Sequence, residues 1–475
     1  MADRKHIAIV GAGPGGYVAA IRAAQLGARV TVVENQALGG VCLNWGCIPS
    51  KALLAVVELG DKVKKAGELG LTLGGQVHYD LVRMVARKNK VVESLVKGIA
   101  TLFKTWGIEH LEGTGELLDD RTIRVAKRDG TETRVQADAL ILATGSSWPN
   151  LPLFPIDGRQ IITSKEALDL TQIPASLLIV GGGIEGCEFA SLYSGIGAQV
   201  TMVELMPRIL PLEDEEIAAF MERELKKRGV TVHTNTTVEK LDRQNGTVKA
   251  TLKDGTTILV EKLLVSVGRG FNSRGIGLEK VGVRLGTRSE IVVNERLETN
   301  VPGVCAIGDV VGMAMLAHVA SAQGKVAVQN ILGHPREIRY DVVPAGIFTL
   351  PEIGRVGLTE QQARERSLKP GQKPETEIKI GRFRYMGLGK AQGVGDTTGM
   401  FKIIADAKTG SILGVHIVGA HAADLIHEAA LAMQLGATAS AVAEMIHAHP
   451  TLSEGMMEAA EDVDGLAIHL ARKRL

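Results

Sequence analysis

The sequence predicts an α/β protein built on two copies of one strand–turn–helix–strand unit, followed by a region with strands and helices of its own. Three observations lead there. The N-terminus, HIAIVGAGPGGYVAA, runs a short apolar strand into Gly11, Gly13 and Gly16, then an Ala-rich helical stretch, then ARVTVVE ending at Glu34. Residues 177 to 204 repeat that order, with Gly181, Gly183 and Gly186 in LLIVGGGIEGCEFA and Glu204 closing AQVTMVE. In both copies the acid lies 23 positions after the first glycine (11 to 34, 181 to 204). Finally, ALILATGSSWP (139 to 149), LLVSVGRGFN (263 to 272) and VCAIGDV (304 to 310) each run an apolar strand into a glycine turn.

A single G-x-G-x-x-G means little in a chain with 56 glycines. Here each copy follows a strand, opens a helix and is completed by a second strand ending in an acid, which is the full dinucleotide-binding fingerprint. The first glycine permits the tight turn, the second lets backbone approach a pyrophosphate, and the third lets helix and strand pack closely. The helix N-terminus presents free N–H groups to the phosphates. Glu34 and Glu204 would accept hydrogen bonds from ribose hydroxyls and repel a 2′-phosphate, so both units favour an unphosphorylated ribose. Two such Rossmann-like units imply two dinucleotides, and the commonest such couple is a flavin and a nicotinamide: FAD and NAD. The later turns add Thr144 and Gly145, Gly268 and Arg269, and Asp309, whose carboxylate suits the hydroxyls of a ribityl chain.

The order of these units gives four segments: 1–146, the first part of a flavin domain; 147–272, an inserted nicotinamide domain; 273–344, a return to the flavin domain; and 345–475, a separate α+β region. The clearest loop is RSLKPGQKPETE (366 to 377), with two prolines. At roughly 150 residues per domain, 475 residues make about three domains. Lys plus Arg (54) nearly balance Asp plus Glu (53), so no broad basic surface for nucleic acid is expected. No apolar run reads as a membrane span, and the chain enters a strand pattern too early for a signal or transit peptide, so a cytoplasmic protein is expected.

Half of the four cysteines lie in GGVCLNWGCIPSK (39 to 51). In a reducing compartment, Cys42 and Cys47 point to redox or metal chemistry rather than to a structural framework. Five apart on a regular helix, their Cα atoms would be about 8 to 9 Å apart, beyond disulfide reach. They can pair only where the helix is interrupted, and Asn44, Gly46 and Pro49 allow that. A metal site needs two more ligands, and there is no second close cysteine pair. Two buried thiols is the remaining alternative. Cys187 and Cys305 fall inside apolar patterns and read as core.

GGVCLNWGCIPSK resembles the redox-disulfide motif of the class I pyridine nucleotide-disulfide oxidoreductases. CIPSK is similar in particular to their dihydrolipoamide-oxidising branch, and HAHPTLSEG (447 to 455) resembles that branch's acid–base motif. The resemblance covers essentially the whole chain. It implies that Cys47 is the sulfur beside the flavin and Cys42 the one that exchanges with a substrate dithiol. It makes His449 the base, because it precedes Pro450, and Glu454 its orienting acid. It implies that Lys51 lies near the flavin ring and Glu188 is its partner acid on the nicotinamide side. His318 is counted with the cofactor-binding residues; His416, His421 and His427 receive no role, and His447 is a local hydrogen-bonding residue. The resemblance makes the C-terminal region a dimerisation domain, so a homodimer is expected, with the histidine entering the partner's site. The implied partners are dihydrolipoyl groups on lipoyl-domain proteins of 2-oxoacid dehydrogenase or glycine cleavage complexes.

The implied reaction oxidises dihydrolipoyl groups through the Cys42–Cys47 disulfide and FAD, with NAD reduced to NADH. An NAD(P)H-dependent reductase of another disulfide, and a non-catalytic flavoprotein scaffold, are the rivals. Glu204 speaks against NADPH, and the full Cys42, Cys47 and His449 set speaks against a scaffold. The chain departs from many relatives at Trp45 and Leu350.

Overall fold

The computed structural model describes residues 4–244, 246–367 and 378–471. The first fingerprint builds a five-stranded parallel sheet ordered Val304–Ala306, Ala139–Leu142, His6–Val10, Arg29–Glu34, Glu109–Glu112. The central strands are buried along nearly their whole length, because helices Pro14–Gln25, Leu81–Thr105 and Ala317–Ile331 cover one face and a three-stranded antiparallel sheet, Thr114–Leu117, Thr122–Ala126 and Glu132–Gln136, covers the other. The second fingerprint builds an equivalent sheet, ordered Thr231–His233, Gln199–Val203, Ser176–Val180, Lys262–Val265, Ile161–Ile162. Between them the chain leaves along Ser146–Ser147 and returns along Gly270–Phe271, and the two pair antiparallel. That narrow ribbon fixes the exit and re-entry of the inserted unit at one place.

The C-terminal region forms a five-stranded antiparallel sheet ordered Ala345–Ile347, Ile353–Gly357, Ile412–Val418, Met400–Asp406, Ile378–Arg384. Helices Ala422–Gln434 and Glu454–Asp462 pack against it through Ile426, Ala429, Met456 and Ala459. In the expected loop 366–377, residues 366 and 367 close the helix Glu360–Ser367, and 368–377 lie outside the described residues.

The expectation about membrane spans needs a correction. By length and composition alone, the helical stretch Gly40–Lys64, interrupted at Gly46, could cross a bilayer, with mean hydropathy 1.4. Its apolar character has a local cause: Leu53, Leu54 and Val57 are buried in a core shared with Leu81, Met84 and Val85 and with Phe189 and Tyr193 of the helix Ile184–Gly195.

The inserted unit is tied to the C-terminal sheet by a buried charge network. Lys402, with 2% of its side chain exposed, places Nζ 2.8 Å from Asp214 Oδ1, 2.8 Å from Glu360 Oε2 and 3.2 Å from Glu216 Oε2. Arg355 pairs with the buried Glu213 at 2.8 Å, and Arg382 with Glu216 at 2.8 Å. Burial pushes the Asp214 carboxyl up, but His416, Lys402 and the Glu360 N–H outweigh it and hold it below the usual range. Removing one member of a buried pair strands its partner in a low dielectric. Lys402→Met should therefore lower unfolding stability by about 3 to 5 kcal/mol, read as a fall in the urea midpoint. An unchanged midpoint would mean that the network adds nothing to the join.

Candidate active site

The two fingerprints repeat down to their hydrogen bonds. Glu34 Oε2 accepts from the Ala12 N–H (2.7 Å) and Oε1 from the Gln36 N–H (2.8 Å). Glu204 Oε2 accepts from the Gly182 N–H (2.6 Å) and Oε1 from the Met206 N–H (2.7 Å). Each acid thus fixes the turn that precedes its helix, and each oxygen keeps further accepting capacity for a hydroxyl. The glycines divide by what surrounds them. A Cβ on Gly11 would lie 2.2 Å from Ala143 O, and one on Gly181 2.1 Å from Ser266 O. On Gly16 and Gly186 it would meet the carbonyl of the first glycine at 1.9 and 2.0 Å. Around Gly183, among the described residues, no atom outside its chain neighbours and its own helix backbone lies within 4 Å of that position, and around Gly13 the nearest is Gly40 Cα at 3.9 Å. Close packing explains the first and third glycines; the second leaves an open cradle at a helix N-terminus, which fits a pyrophosphate.

Next to the first cradle begins the redox segment. Gly40, at φ 59°, stacks on Gly13: a Cβ there would lie 2.7 Å from Gly13 Cα. The Gly39 N–H donates to Ala12 O at 2.8 Å. Cys42 lies in the short helix Gly40–Trp45, Gly46 breaks it at φ −140°, ψ −109°, and Cys47 opens the helix Cys47–Lys64. The interruption expected between the cysteines falls at Gly46. Asn44 Nδ2 donates back to Leu38 O (3.0 Å) and Gly40 O (2.9 Å). Pro49 interrupts nothing; it lies in the first turn of the second helix, where no N–H is required.

The structure holds Cys42 and Cys47 as two thiols in mutual contact. They are not equivalent. The hydrogen bond from Cys42 lowers the Cys47 pKa, burial opposes it, and the Lys51 charge lowers it further, leaving it below an ordinary thiol. The Cys42 pKa is pushed up by its bond to Cys47 and by burial. A proton shared between the two sulfurs therefore favours Cys42 over Cys47. By contrast Cys187 and Cys305 are core thiols, and burial pushes Cys305 up to about 12.

Lys51 Nζ lies 2.8 and 2.7 Å from the two oxygens of Glu188, which is buried on the helix after the second fingerprint. One ion pair thus joins the redox helix to the inserted unit. At the crossover ribbon, Thr144 Oγ1 donates to Asn272 O (2.7 Å), and Asn272 Nδ2 returns to Thr144 O (2.9 Å). Gly145 and Gly268 take positive φ (69° and 99°). Arg269 donates to Ser146 O (2.7 Å) and Oγ (2.8 Å), and Ser146 Oγ donates to Asp309 Oδ2 (2.5 Å). The Gly308 N–H is held by the buried Gln323 (2.6 Å), which reaches Tyr340 OH (2.8 Å). Ser146, Asn272 and Gln323 were missed by sequence reasoning. Ser146 and Asn272 had a usable signal, since they lie beside the flagged turns; Gln323 had none.

His449 Nδ1 is 2.8 Å from Glu454 Oε1, and the Thr451 N–H donates to Oε2 at 2.8 Å. Burial raises the Glu454 pKa, but Thr451 and His449 together bring it below the usual range. An ionised Glu454 only accepts, so the His449 proton belongs on Nδ1 and Nε2 carries the lone pair. Among the described residues, no contact joins His449 to the cysteines of its own chain, and its side chain is 75% exposed. His447 is buried against Glu428 (2.9 Å). His318 Nε2 lies 2.7 Å from Pro344 O. Of the two departures, Trp45 carries Lys165 Nζ over its ring at 5.3 Å, and Leu350 packs on the core that includes Phe189 and Tyr193.

Residues 5–324 match the pyridine nucleotide-disulphide oxidoreductase family, and residues 343–460 match its dimerisation domain. The dihydrolipoyl dehydrogenase of Bacillus subtilis is 41% identical over 483 residues, covering 99% of this chain and 100% of its own. The mitochondrial dihydrolipoyl dehydrogenase of Pisum sativum is 40% identical, covering 98% and 93%. The leghemoglobin reductase of Vigna unguiculata is also 40% identical, covering 96% and 87%. Among solved structures, LpdA from Mycobacterium tuberculosis superposes with a TM-score of 0.89 at 30% identity, covering 97% of this chain and 99% of that one. The chain therefore belongs to the pyridine nucleotide-disulphide oxidoreductase family. It is an NAD-dependent flavoprotein oxidoreductase with FAD and NAD as its cofactors and a dimerisation domain at its C-terminal end.

The two kinds of fingerprint glycine should separate on mutation. Gly181→Ala should destabilise the fold by about 2 kcal/mol or more, from both the positive φ and the carbonyl contact. Gly183→Ala, a change at the helix N-cap, should cost no more than about 1 kcal/mol by thermal unfolding while raising KM for NAD. Equal stability losses would show that packing, not the cofactor, requires Gly183.

Proposed function

We propose that the protein oxidises dihydrolipoyl groups to lipoyl groups with NAD as the final acceptor, a dihydrolipoyl dehydrogenase activity. The inequivalent Cys42–Cys47 pair, stacked on the first fingerprint and charged by Lys51, is the observation that carries this reading. Dihydrolipoyl dehydrogenases about as similar as those above support it along nearly the whole chain.

In the oxidised enzyme the two cysteines form a disulfide. His449 Nε2 takes a proton from a substrate thiol, and Glu454 offsets the charge gained. The substrate thiolate attacks Cys42 Sγ; the Cys42–Cys47 bond breaks and Cys47 leaves as a thiolate, helped by the positive charge of Lys51. The second substrate thiol attacks the substrate sulfur bound to Cys42, its proton passing to the Cys42 sulfur that leaves. The substrate closes to a disulfide and Cys42 departs, taking up that proton. The protein is left as a dithiol whose remaining proton favours Cys42 over Cys47. Bound FAD would supply the redox chemistry that passes the electron pair of this dithiol on to NAD as a hydride.

Gly11, Gly13, Gly16 and Glu34, with Thr144, Gly145, Asp309 and Lys51, would hold FAD. Gly181, Gly183, Gly186, Glu188, Glu204, Gly268 and Arg269 would hold NAD. The exposed His449 suits service in the partner subunit of a homodimer. Lipoyl groups would arrive on the swinging domains of 2-oxoacid dehydrogenase or glycine cleavage complexes.

The direct test is NADH formation from dihydrolipoamide and NAD. Wild type should turn over, and Cys47→Ser should abolish turnover while keeping the fold. A wild type inactive with dihydrolipoamide but able to oxidise NADPH with another disulfide would replace this substrate assignment. Cofactor choice is tested separately at Glu204. Glu204→Ala should weaken NAD binding and narrow the preference over NADP by about tenfold, the effect of about 1.4 kcal/mol. Kinetics unchanged with both cofactors would remove Glu204 from the ribose site.

A further inference from the structure

The Lys51–Glu188 pair has a third partner, contributed by the C-terminal region. Just past the strand Ala345–Ile347 the chain turns onto the helix Ile184–Gly195. There the Phe348 N–H donates to Glu188 Oε1 at 3.0 Å, and the Leu350 N–H reaches Ser191 Oγ at 3.4 Å. The Phe348 ring lies under the ammonium of Lys51, with Nζ 4.7 Å from its centroid. Phe348 therefore touches both members of the ion pair, one with its backbone and one with its ring.

The chemistry of the pair explains why this matters. An ammonium has three N–H donors on a flexible four-carbon stem. Glu188 offers Lys51 two oxygens, but a carboxylate alone lets the ammonium swing around it. An aromatic face on another side restricts that motion, because the ring attracts the cation without accepting its protons strongly. The carboxylate is restricted as well, since one oxygen is shared between Lys51 and the Phe348 N–H. Three segments far apart in sequence meet at this charge: the redox helix, the helix after the second fingerprint, and the first strand of the dimerisation domain.

We propose that Phe348 is a positioning residue for the reaction, holding the ammonium of Lys51 in place between Glu188 and its own ring. The charged groups that bear on Cys47 are Lys51, Glu188 and Arg269. The proposal rests on the disulfide chemistry described above and deepens it, by giving the dimerisation domain a part in the active site of its own chain.

The test compares the reduced holoenzymes of wild type, Phe348→Leu and Phe348→Tyr. Leucine keeps the apolar bulk and the backbone N–H but loses the aromatic face; tyrosine keeps the face. The main readout is the pH at which the Cys47 thiolate forms, followed by thiolate absorbance with alkylation of Cys47 as a check. In Phe348→Leu that pH should rise by about half a unit, the scale of one partly exposed cation–π contact. Phe348→Tyr should titrate like wild type. Thermal unfolding of each variant reports on packing alone. A Phe348→Leu protein that loses stability but titrates like wild type would overturn the proposal and leave Phe348 a packing residue. So would a tyrosine variant shifted as far as the leucine one. Turnover of wild type with dihydrolipoamide is measured alongside: its absence would defeat the substrate assignment, whereas an unmoved Cys47 titration would defeat only the role of Phe348.

Discussion

The site depends on one close approach of backbone to backbone. Gly40 sits on Gly13 with so little room that a single methyl on Gly40 would enter the van der Waals shell of the Gly13 Cα. That contact lays the start of the redox helix directly on the dinucleotide cradle. It brings Cys42 and Cys47 to the place where a bound flavin could exchange electrons with them. The Gly39 N–H to Ala12 carbonyl bond locks the same register. Side chains at this crossing would separate the two loops, and neither the pairing of the sulfurs nor the cofactor cradle could make up for that distance. Electron exchange through a thiolate needs contact, so this packing constraint comes before any question of pKa.

With the loops in contact, electrostatics sets the asymmetry between the sulfurs. Lys51, one turn into the helix that Cys47 opens, supplies a positive charge that lowers the Cys47 pKa, while the bond to Cys47 and burial push that of Cys42 up. The charge is itself held by Glu188 and Phe348, on two other parts of the fold. Domain arrangement is thus part of the chemistry. The buried Lys402 network joins the inserted unit to the C-terminal sheet, and the two parts whose relative position it fixes are the ones that carry Glu188 and Phe348.

The fingerprints were legible because their chemistry is local. A turn, a helix start and an acid 23 positions on are bound by geometry that neighbouring residues enforce, and Glu34 and Glu204 close the same hydrogen bonds in both copies. The cysteine pair was legible for a similar reason, since its spacing excluded a regular helix and glycine offered the break. Pro49 was misread: proline breaks a helix in its interior but is harmless in a first turn, and the sequence does not show where that turn begins. Gln323 and Phe348 were not legible. Their partners lie 15 and 160 positions away, and an ordinary apolar or amide side chain gives no sign of what it faces. The long apolar stretch of the redox helix shows the same limit, because composition cannot tell a core helix from a membrane span.

By itself the sequence determined the repeated α/β units, the two cradles, the position of the redox pair and the His449–Glu454 couple. Each is written in residues close along the chain, where covalent connection already restricts the geometry. The tertiary structure alone decided which sulfur the proton favours, where the Lys51 charge is anchored and that, among the described residues, His449 makes no contact with the cysteines of its own chain. Those outcomes depend on burial and on charges brought together from distant segments, and both come into being only when the chain is packed.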